Sequence, residues 1–241
     1  MINQLLVVNF LMKKCFIENS IYKFLSFLFL IIIWWILSVI YPAVVIPSIP
    51  SVIKGCLHIL KTPELLSEMV KTVYRLFLGV LIGLSVGVLT GLLSGLNRPF
   101  RLISNNWIKV LQVVPPVSIL VLTIIWFGFN GKPAIAITAL SVFPTIAISV
   151  RDGILNIDKK LLEMAKIFKF PKKEKLRQII MPSIMSNFLT GLTIALGIAT
   201  KTVVMGEVLT TVTGIGGQIT NARLNIESEM IIAWTIICIL I

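Results

Sequence analysis

The chain has 241 residues, of which 57% are hydrophobic and only 13% charged, with a mean hydropathy of +0.99. Charged residues make up ~25% of an ordinary soluble domain, and a soluble core of this length cannot enclose so much apolar side chain, so lipid must be the solvent for much of the chain. This excludes a cytosolic enzyme, a secreted disulfide scaffold and a disordered protein. The 22 Lys+Arg against 10 Asp+Glu give a net charge of +12. In a membrane sequence that excess reads as basic residues retained on the cytoplasmic side. A nucleic-acid surface is excluded because no basic face alternates with stacking aromatics. Cys15, Cys56 and Cys238 show neither metal-ligand spacing nor a disulfide pattern.

Six spans are predicted, each from a run approaching the ~20 apolar residues a bilayer requires. The first, Phe24 to Tyr41, follows Lys13, Lys14 and Lys23. It is too long for a signal peptide and has no small-x-small cleavage site after it. The second, Leu76 to Leu96, carries Gly79, Gly83, Gly87, Gly91 and Gly95 at a spacing of four. That spacing places them on one helical stripe, where a neighbouring helix can approach closely. The third runs roughly from Lys109 to Phe129 and contains Pro115 and Pro116, which kink a helix and free carbonyls that only protein or a watery cavity can cover. The fourth runs from about Ala134 to Val150 with Pro144 inside it, the fifth from about Ile184 to Val208, and the last begins at Met230 and is still apolar at Ile241. These twelve final residues make only ~18 Å of helix against a hydrocarbon core of ~30 Å, so a truncated last helix is expected.

The stretch from Arg151 to Arg177 holds nine Lys/Arg and belongs in the cytoplasm. Counting back puts Arg98, Arg101 and both chain ends inside, and Lys132 and Arg223 outside. Pro42 to Arg75 is left as an outer linker with four basic residues, a mild violation softened if Lys71 and Arg75 sit in the second helix. The expected organisation is a single transmembrane domain over 1–241, with a peripheral first helix at 24–41, an outer linker at 42–75, core helices over 76–241 and a cytoplasmic loop at 151–183.

That loop carries the chemistry. Asp158 can cap a helix in which Leu161, Leu162, Ala165 and Phe168 recur at helical spacing, and Pro171 ends it. A second stretch has Leu176, Ile179 and Ile180 before Pro182. Such a short amphipathic helix either lies on anionic lipid or docks into a soluble partner.

The loop resembles that of the permease subunits of bacterial ABC importers, in the nitrate/sulfonate/taurine-type branch. Their motif, EAA-x-x-x-G with Leu-Pro about twelve residues on, is matched by Glu163, Met164, Ala165, Lys169 and Met181-Pro182 without a gap. VIPSIPSVIKGCL, the Arg75-x-x-x-Gly79 helix, VVPPVSILVLTIIWFGF and GLTIALGIATKTVVMGEVL with TGIGGQI resemble further segments in the same order, roughly from Trp34 to Trp234. Met164 departs from the motif's second alanine, and Lys169 from its glycine, which would better tolerate a left-handed turn. The resemblance implies the all-α type I importer permease fold in the bacterial inner membrane. It also implies two permease copies, two ATPase subunits docked on the loop helices, and an outer substrate-binding protein. Glu163 would position the helix in a cleft of the ATPase and Ala165 would allow close approach. Leu162 and Phe168 supply apolar contact by their helical spacing.

Neither a Walker loop, nor H-E-x-x-H, nor G-x-S-x-G occurs, so no catalysis or cofactor is expected of this chain. Lys201, ionisable inside the apolar fifth span, is either a snorkelling surface lysine or a pathway cation suited to an anionic substrate. Glu207 is placed at the outer rim of the same pathway. The expected function is import of a small anion such as nitrate, a sulfonate or taurine. A thiamine-precursor importer and a stand-alone secondary transporter or channel are the alternatives; the latter would need intramembrane charge that spans one to four scarcely contain.

Overall fold

A computed structural model of the protein describes residues 22, 23 and 25–240, and these are helical throughout apart from short connections. The lysines at 13 and 14, Cys15 and Phe24 lie outside the described residues. The first apolar helix, α1, covers Leu25–Ile40. It is followed by α2 (Ile49–Lys61), α3 (Pro63–Leu96), α4 (Arg98–Val113), α5 (Pro116–Phe127) and α6 (Lys132–Leu155). Beyond the loop helix α7 (Lys159–Ile167) come α8 (Lys172–Lys175), a π-turn at Leu176–Ile180, α9 (Met181–Thr210), α10 (Gly214–Leu224) and α11 (Ser228–Leu240).

Three of these helices, α3, α6 and the run ending in α9, are long and apolar enough to cross a membrane, and α4 with α5 would make a fourth as a bent pair. α3 begins well before the apolar stretch read from sequence. Its 34 residues span ~51 Å at 1.5 Å per residue, so its first turns project beyond the hydrocarbon. The segment expected as an outer linker at 42–75 carries α2 and the first turns of α3, which include Lys71 and Arg75. Ser48 caps α2 by accepting from the Ser51 N–H, and Pro63 opens α3 at a first-turn position where its missing N–H costs nothing.

The expected third span is two helices. Pro115 and Pro116 break the chain between α4 and α5, and the axes turn by 96°. Neither proline can donate, and Pro116 restricts the residue before it to extended backbone, so a full break replaces a kink. Pro144 is accommodated inside α6. Pro182 does not end a helix either: the π-turn immediately ahead of it widens the backbone, and the helix continues into α9. The stretch after α9, where TGIGGQI lies, contains the eleven-residue helix α10.

The core forms where α3, α6 and α9 meet. The glycine stripe of α3 faces Thr138, Val142, Ile146, Val150 and Ile154 of α6, also four apart. A Cβ added at Gly83 would lie 2.8 Å from the Val142 Cβ, and one at Gly87 2.9 Å from the Ile146 Cβ. On the other side of α6, a Cβ at Gly206 would meet the Ala134 Cα at 2.8 Å, and Ala195 and Ala199 of α9 are fully buried. A peripheral cluster joins α2, α10 and α11 through Ile59, Ile215 and Trp234, with Trp34 of α1 donating from Nε1 to the Pro47 carbonyl at 3.1 Å.

Substituting Gly83→Leu should force α3 off α6. Overpacking of this kind costs ~1–3 kcal/mol, and detergent-solubilised protein should melt lower. A leucine at the exposed Gly197 of α9, where an added Cβ meets nothing within 4 Å, should leave the melting temperature unchanged.

Candidate functional site

The loop helix is built by its ends. Asp158 Oδ1 accepts from the Lys160 N–H at 2.9 Å, and its carbonyl accepts from Leu161 N–H at 3.1 Å, which satisfies the first-turn donors of α7. At the other end Phe168 N–H donates to the Met164 carbonyl at 3.0 Å and Phe170 N–H to the Ala165 carbonyl at 2.9 Å. Between them Lys169 has φ 49°. This is the left-handed helix stop that glycine usually supplies, here adopted by a lysine at the position where the resembled motif carries glycine.

Ala165 is 3% exposed and packs against Ile157 and Ile179, with Phe170 and Ile180 closing over it. The methyl group therefore permits close approach within the protein's own loop. Leu161, Met164, Ile167 and Phe168 project outward, the last two 77% and 69% exposed. Glu163, Lys169 and Pro182 are also exposed. The side chain of Leu162 lies outside the described residues. Lys169→Gly should relieve about 1 kcal/mol of left-handed strain, seen as slower hydrogen exchange of the Phe170 amide.

A second constellation lies at the opposite end of the core. Glu207 of α9, placed at an outer rim by sequence, has no exposed surface. Its Oε1 receives Arg75 Nη1 at 2.6 Å, and its Oε2 receives Thr72 Oγ1 at 2.8 Å and the Gly216 N–H at 3.0 Å. Arg75 also donates to the Thr213 carbonyl at 3.0 Å and to Thr213 Oγ1 at 2.7 Å. Thr72 Oγ1 accepts from the Ile215 N–H at 2.8 Å, and Glu68 Oε2 from the Gly214 N–H at 2.6 Å. Glu68, Thr72 and Arg75 stand on one face of α3 and clamp the α9–α10 turn together with the first N–H groups of α10. Gly214 has φ 87°, and a Cβ at Gly216 would lie 2.6 Å from the Val204 carbonyl, so this turn admits neither side chain. Sequence reasoning missed the clamp. Its signal was an arginine in the first half of α3 and a carboxylate near the end of α9, 132 positions apart in sequence.

Lys201 is not drawn into this network. It is exposed, and it extends a stripe of exposed Ser186, Thr190, Thr193 and Gly197 at three- and four-residue spacing along α9. Thr190 and Thr193 satisfy their hydroxyls on the preceding turn, at 3.1 and 3.0 Å. Lys201 and Glu207 thus occupy different faces of the helix. Removing one member of a buried ion pair costs ~3–5 kcal/mol, because the other is left uncompensated. Glu207→Leu should lower the melting temperature markedly, and adding Arg75→Leu should restore much of it.

The structure resembles a chain of the MetNI methionine ABC transporter in an inward-facing crystal form. The TM-score is 0.59 at 20% identity, covering 74% of this chain and 92% of that one. In sequence the chain is 28% identical over 210 residues to a Bacillus subtilis protein described as an aliphatic sulfonates transport permease, SsuC, covering 86% of this chain and 76% of that one. To the Escherichia coli SsuC it is 30% identical over 188 residues, with 78% and 72% covered. To the Escherichia coli taurine transport system permease TauC it is 27% identical over 138 residues, with 57% and 50% covered. The model of the family described as binding-protein-dependent transport system inner membrane component matches residues 79–241. With two parallel-running glycine-packed helices, a broken span and an exposed loop helix all falling in that region, the chain belongs to the binding-protein-dependent transport system inner membrane components, as a permease subunit of the ABC importer type.

Proposed function

We propose that this permease subunit conducts a small anionic nutrient of the sulfonate or taurine class, delivered by a separate extracytoplasmic binding protein and driven by ATPase subunits that dock on α7. The observation that carries the reading is the loop helix itself. It is anchored inward by Ala165 while Leu161, Met164, Ile167 and Phe168 face away from the protein around the exposed Glu163. An apolar helix face ringed by charge suits insertion into the groove of a soluble partner. The basic loop supports a cytoplasmic location for this end, which would leave the Arg75–Glu207 clamp on the outer side.

Two copies would enclose the pathway. The exposed stripe of α9 supports this arrangement: hydroxyls, a glycine and Lys201 are a poor match for hydrocarbon and a good match for a watery passage. Closure of the ATPases would draw the two loop helices together and rock α3, α6 and α9 as a packed unit. Such a cycle requires the ATPases to bind the inward and outward states with different affinity. The substrate class rests on the sulfonate and taurine permeases among the relatives and on the cation at Lys201.

The test is reconstitution with the cognate ATPase and binding protein. Glu163→Lys should leave membrane yield unchanged but uncouple ATP hydrolysis from uptake; unchanged coupling would remove the docking role. Lys201→Met should slow uptake of ethanesulfonate by about tenfold, the equivalent of ~1.4 kcal/mol, and normal uptake would leave Lys201 as a snorkelling lysine.

A further inference from the structure

An open groove of about 390 Å³ lies between the first half of α3 and the turn that leads from α5 into α6. Its lining includes Lys71, Tyr74 and Arg75 of α3, and Asn130, Gly131 and Lys132 at the entry to α6. Three of these side chains are cationic, and among the described residues no carboxylate lines the groove. Ammonium and guanidinium groups only donate hydrogen bonds. The amide acceptor here, Asn130 Oδ1, already receives the Lys132 N–H at 2.8 Å.

The protein leaves part of this donor set without an acceptor. Arg75 commits Nη1 to Glu207 and the Thr213 carbonyl, and Nη2 to Thr213 Oγ1. Among the described residues nothing accepts from its Nε, and no buried polar side-chain atom lacks a partner, so the Nε edge is open to solvent. That edge lies against the α5–α6 turn: a Cβ on Gly131 would stand 2.8 Å from Arg75 Cζ and closer still to Nε. Lys132 is exposed and belongs to no ion pair among the described residues. Lys71 is paired with Glu68 at 2.7 Å, but the other oxygen of Glu68 is held by the Gly214 N–H. Three cations therefore face two carboxylates, Glu68 and Glu207, both tied into the α9–α10 turn. One positive charge remains uncompensated, and it is on the groove side.

Depth and direction identify the anion's source. The apolar run of α3 begins at Leu76, so Lys71 and Arg75 lie within ~8 Å of the hydrocarbon edge at 1.5 Å per residue. Tyr74, Phe77 and Leu81 continue the groove face of α3 at three- and four-residue spacing and are exposed, as are Trp126 and Phe129 at the end of α5. Tyrosine and tryptophan at such a level mark the headgroup region. On α6, α9 packs against Ala134 and Ile137. Lys132, two residues from Ala134, is ~200° round the helix, so the groove opens on the side of α6 away from α9 and its exposed Lys201 stripe. An anion site beside exposed apolar side chains, and away from that stripe, meets lipid. We propose that this groove binds the headgroup phosphate of an anionic phospholipid in the outer leaflet. The phosphate is held by Lys132, Lys71 and the Nε edge of Arg75, and the acyl chains lie along Phe77 and Leu81. A zwitterionic choline headgroup would bring a further positive charge to the cations and is disfavoured. The bound lipid bridges α3 to the start of α6 beside the Arg75–Glu207 clamp. The proposal goes beyond the transport reading and takes from it only the outer placement of this end.

The test is native mass spectrometry of the permease assembled with its ATPase, delipidated in neutral detergent and titrated with phosphatidylglycerol or phosphatidylcholine. Phosphatidylglycerol should bind about tenfold more tightly than phosphatidylcholine. Lys132→Gln should weaken phosphatidylglycerol about fivefold, the effect of one basic residue at an anionic surface, and adding Lys71→Gln should weaken it by a similar factor again. Phosphatidylcholine binding should not change. Lys61→Gln removes an exposed lysine of α2 that does not line the groove, and it should leave both lipids unaffected. Equal affinity for the two lipids, or an unchanged phosphatidylglycerol affinity in the double variant, overturns the proposal. So does an equal loss in Lys61→Gln, which would reduce the groove to general surface charge. Displacement of phosphatidylglycerol by inorganic phosphate or glycerol 3-phosphate would make a free anion the occupant and overturn the lipid assignment. If the double variant does not assemble, Lys132→Gln alone, at an exposed residue outside every ion pair, carries the measurement. Lipid binding is read without uptake, so a failure of the sulfonate-class reading leaves this result standing, and the reverse also holds.

Discussion

Backbone-to-backbone contact between α3 and α6 is the constraint on which the remaining structure depends. Lipid tails are as apolar as leucine, so helices in a bilayer gain little from hiding apolar surface against each other. What they gain is dispersion, which falls off steeply with separation. Five glycines on one stripe let the two helices approach until β-branched side chains of α6 rest directly on the α3 backbone. The contact runs from Gly79 to Gly95, nearly the whole apolar length of α3. It ties the end that carries Arg75 to the end that meets the loop helix through Ile154.

The polar elements at the two ends follow from that axis. At one end α3 presents Glu68, Thr72 and Arg75 to the turn between α9 and α10, and the Glu207 carboxylate is fully hydrogen-bonded inside it. A buried ion pair is weak evidence for net stability, but with each acceptor satisfied it fixes which turn meets which helix. At the other end Ile157, Ala165 and Ile179 hold α7 against the start of the long helix that becomes α9. α7 is therefore joined to α9 through packed side chains and the helical run from Lys173 onward. The strained φ of Lys169 fits this view. The turn is retained in left-handed form without glycine because the Phe170-to-Ala165 hydrogen bond and the apolar cluster beneath it over-determine the backbone.

Prolines shape the space between these two ends. The same missing N–H has three outcomes according to context. It splits the chain at Pro115 and Pro116, is absorbed within α6 at Pro144, and is relieved by a π-turn before Pro182. Irregular backbone at membrane depth is tolerated only where protein or a water-filled cavity receives the freed carbonyls. Two of the three irregularities, at Pro115–Pro116 and at Pro144, converge on one cavity.

Sequence alone determined the solvent, the all-α class, most of the spanning segments, the close-packing face of α3 and the loop motif with a lysine in place of its glycine. Each of these is written locally, in hydropathy over some twenty residues, in a four-residue glycine spacing, or in a short ordered motif. What it did not determine was the fate of each proline, because a kink, a break and a π-turn differ in what the neighbouring helices can cover, and that is set by packing. Nor could it assign Glu207. A carboxylate near a helix end reads as a rim residue until Arg75, Thr72 and the Gly216 N–H are seen to converge on it from distant parts of the chain. Ala165 shows the same limit in reverse: helical spacing identified it as part of an apolar face, but which side of α7 turns toward the protein was decided by Ile157 and Ile179. Local patterning specifies what a residue can do, and the tertiary structure decides which partner reaches it.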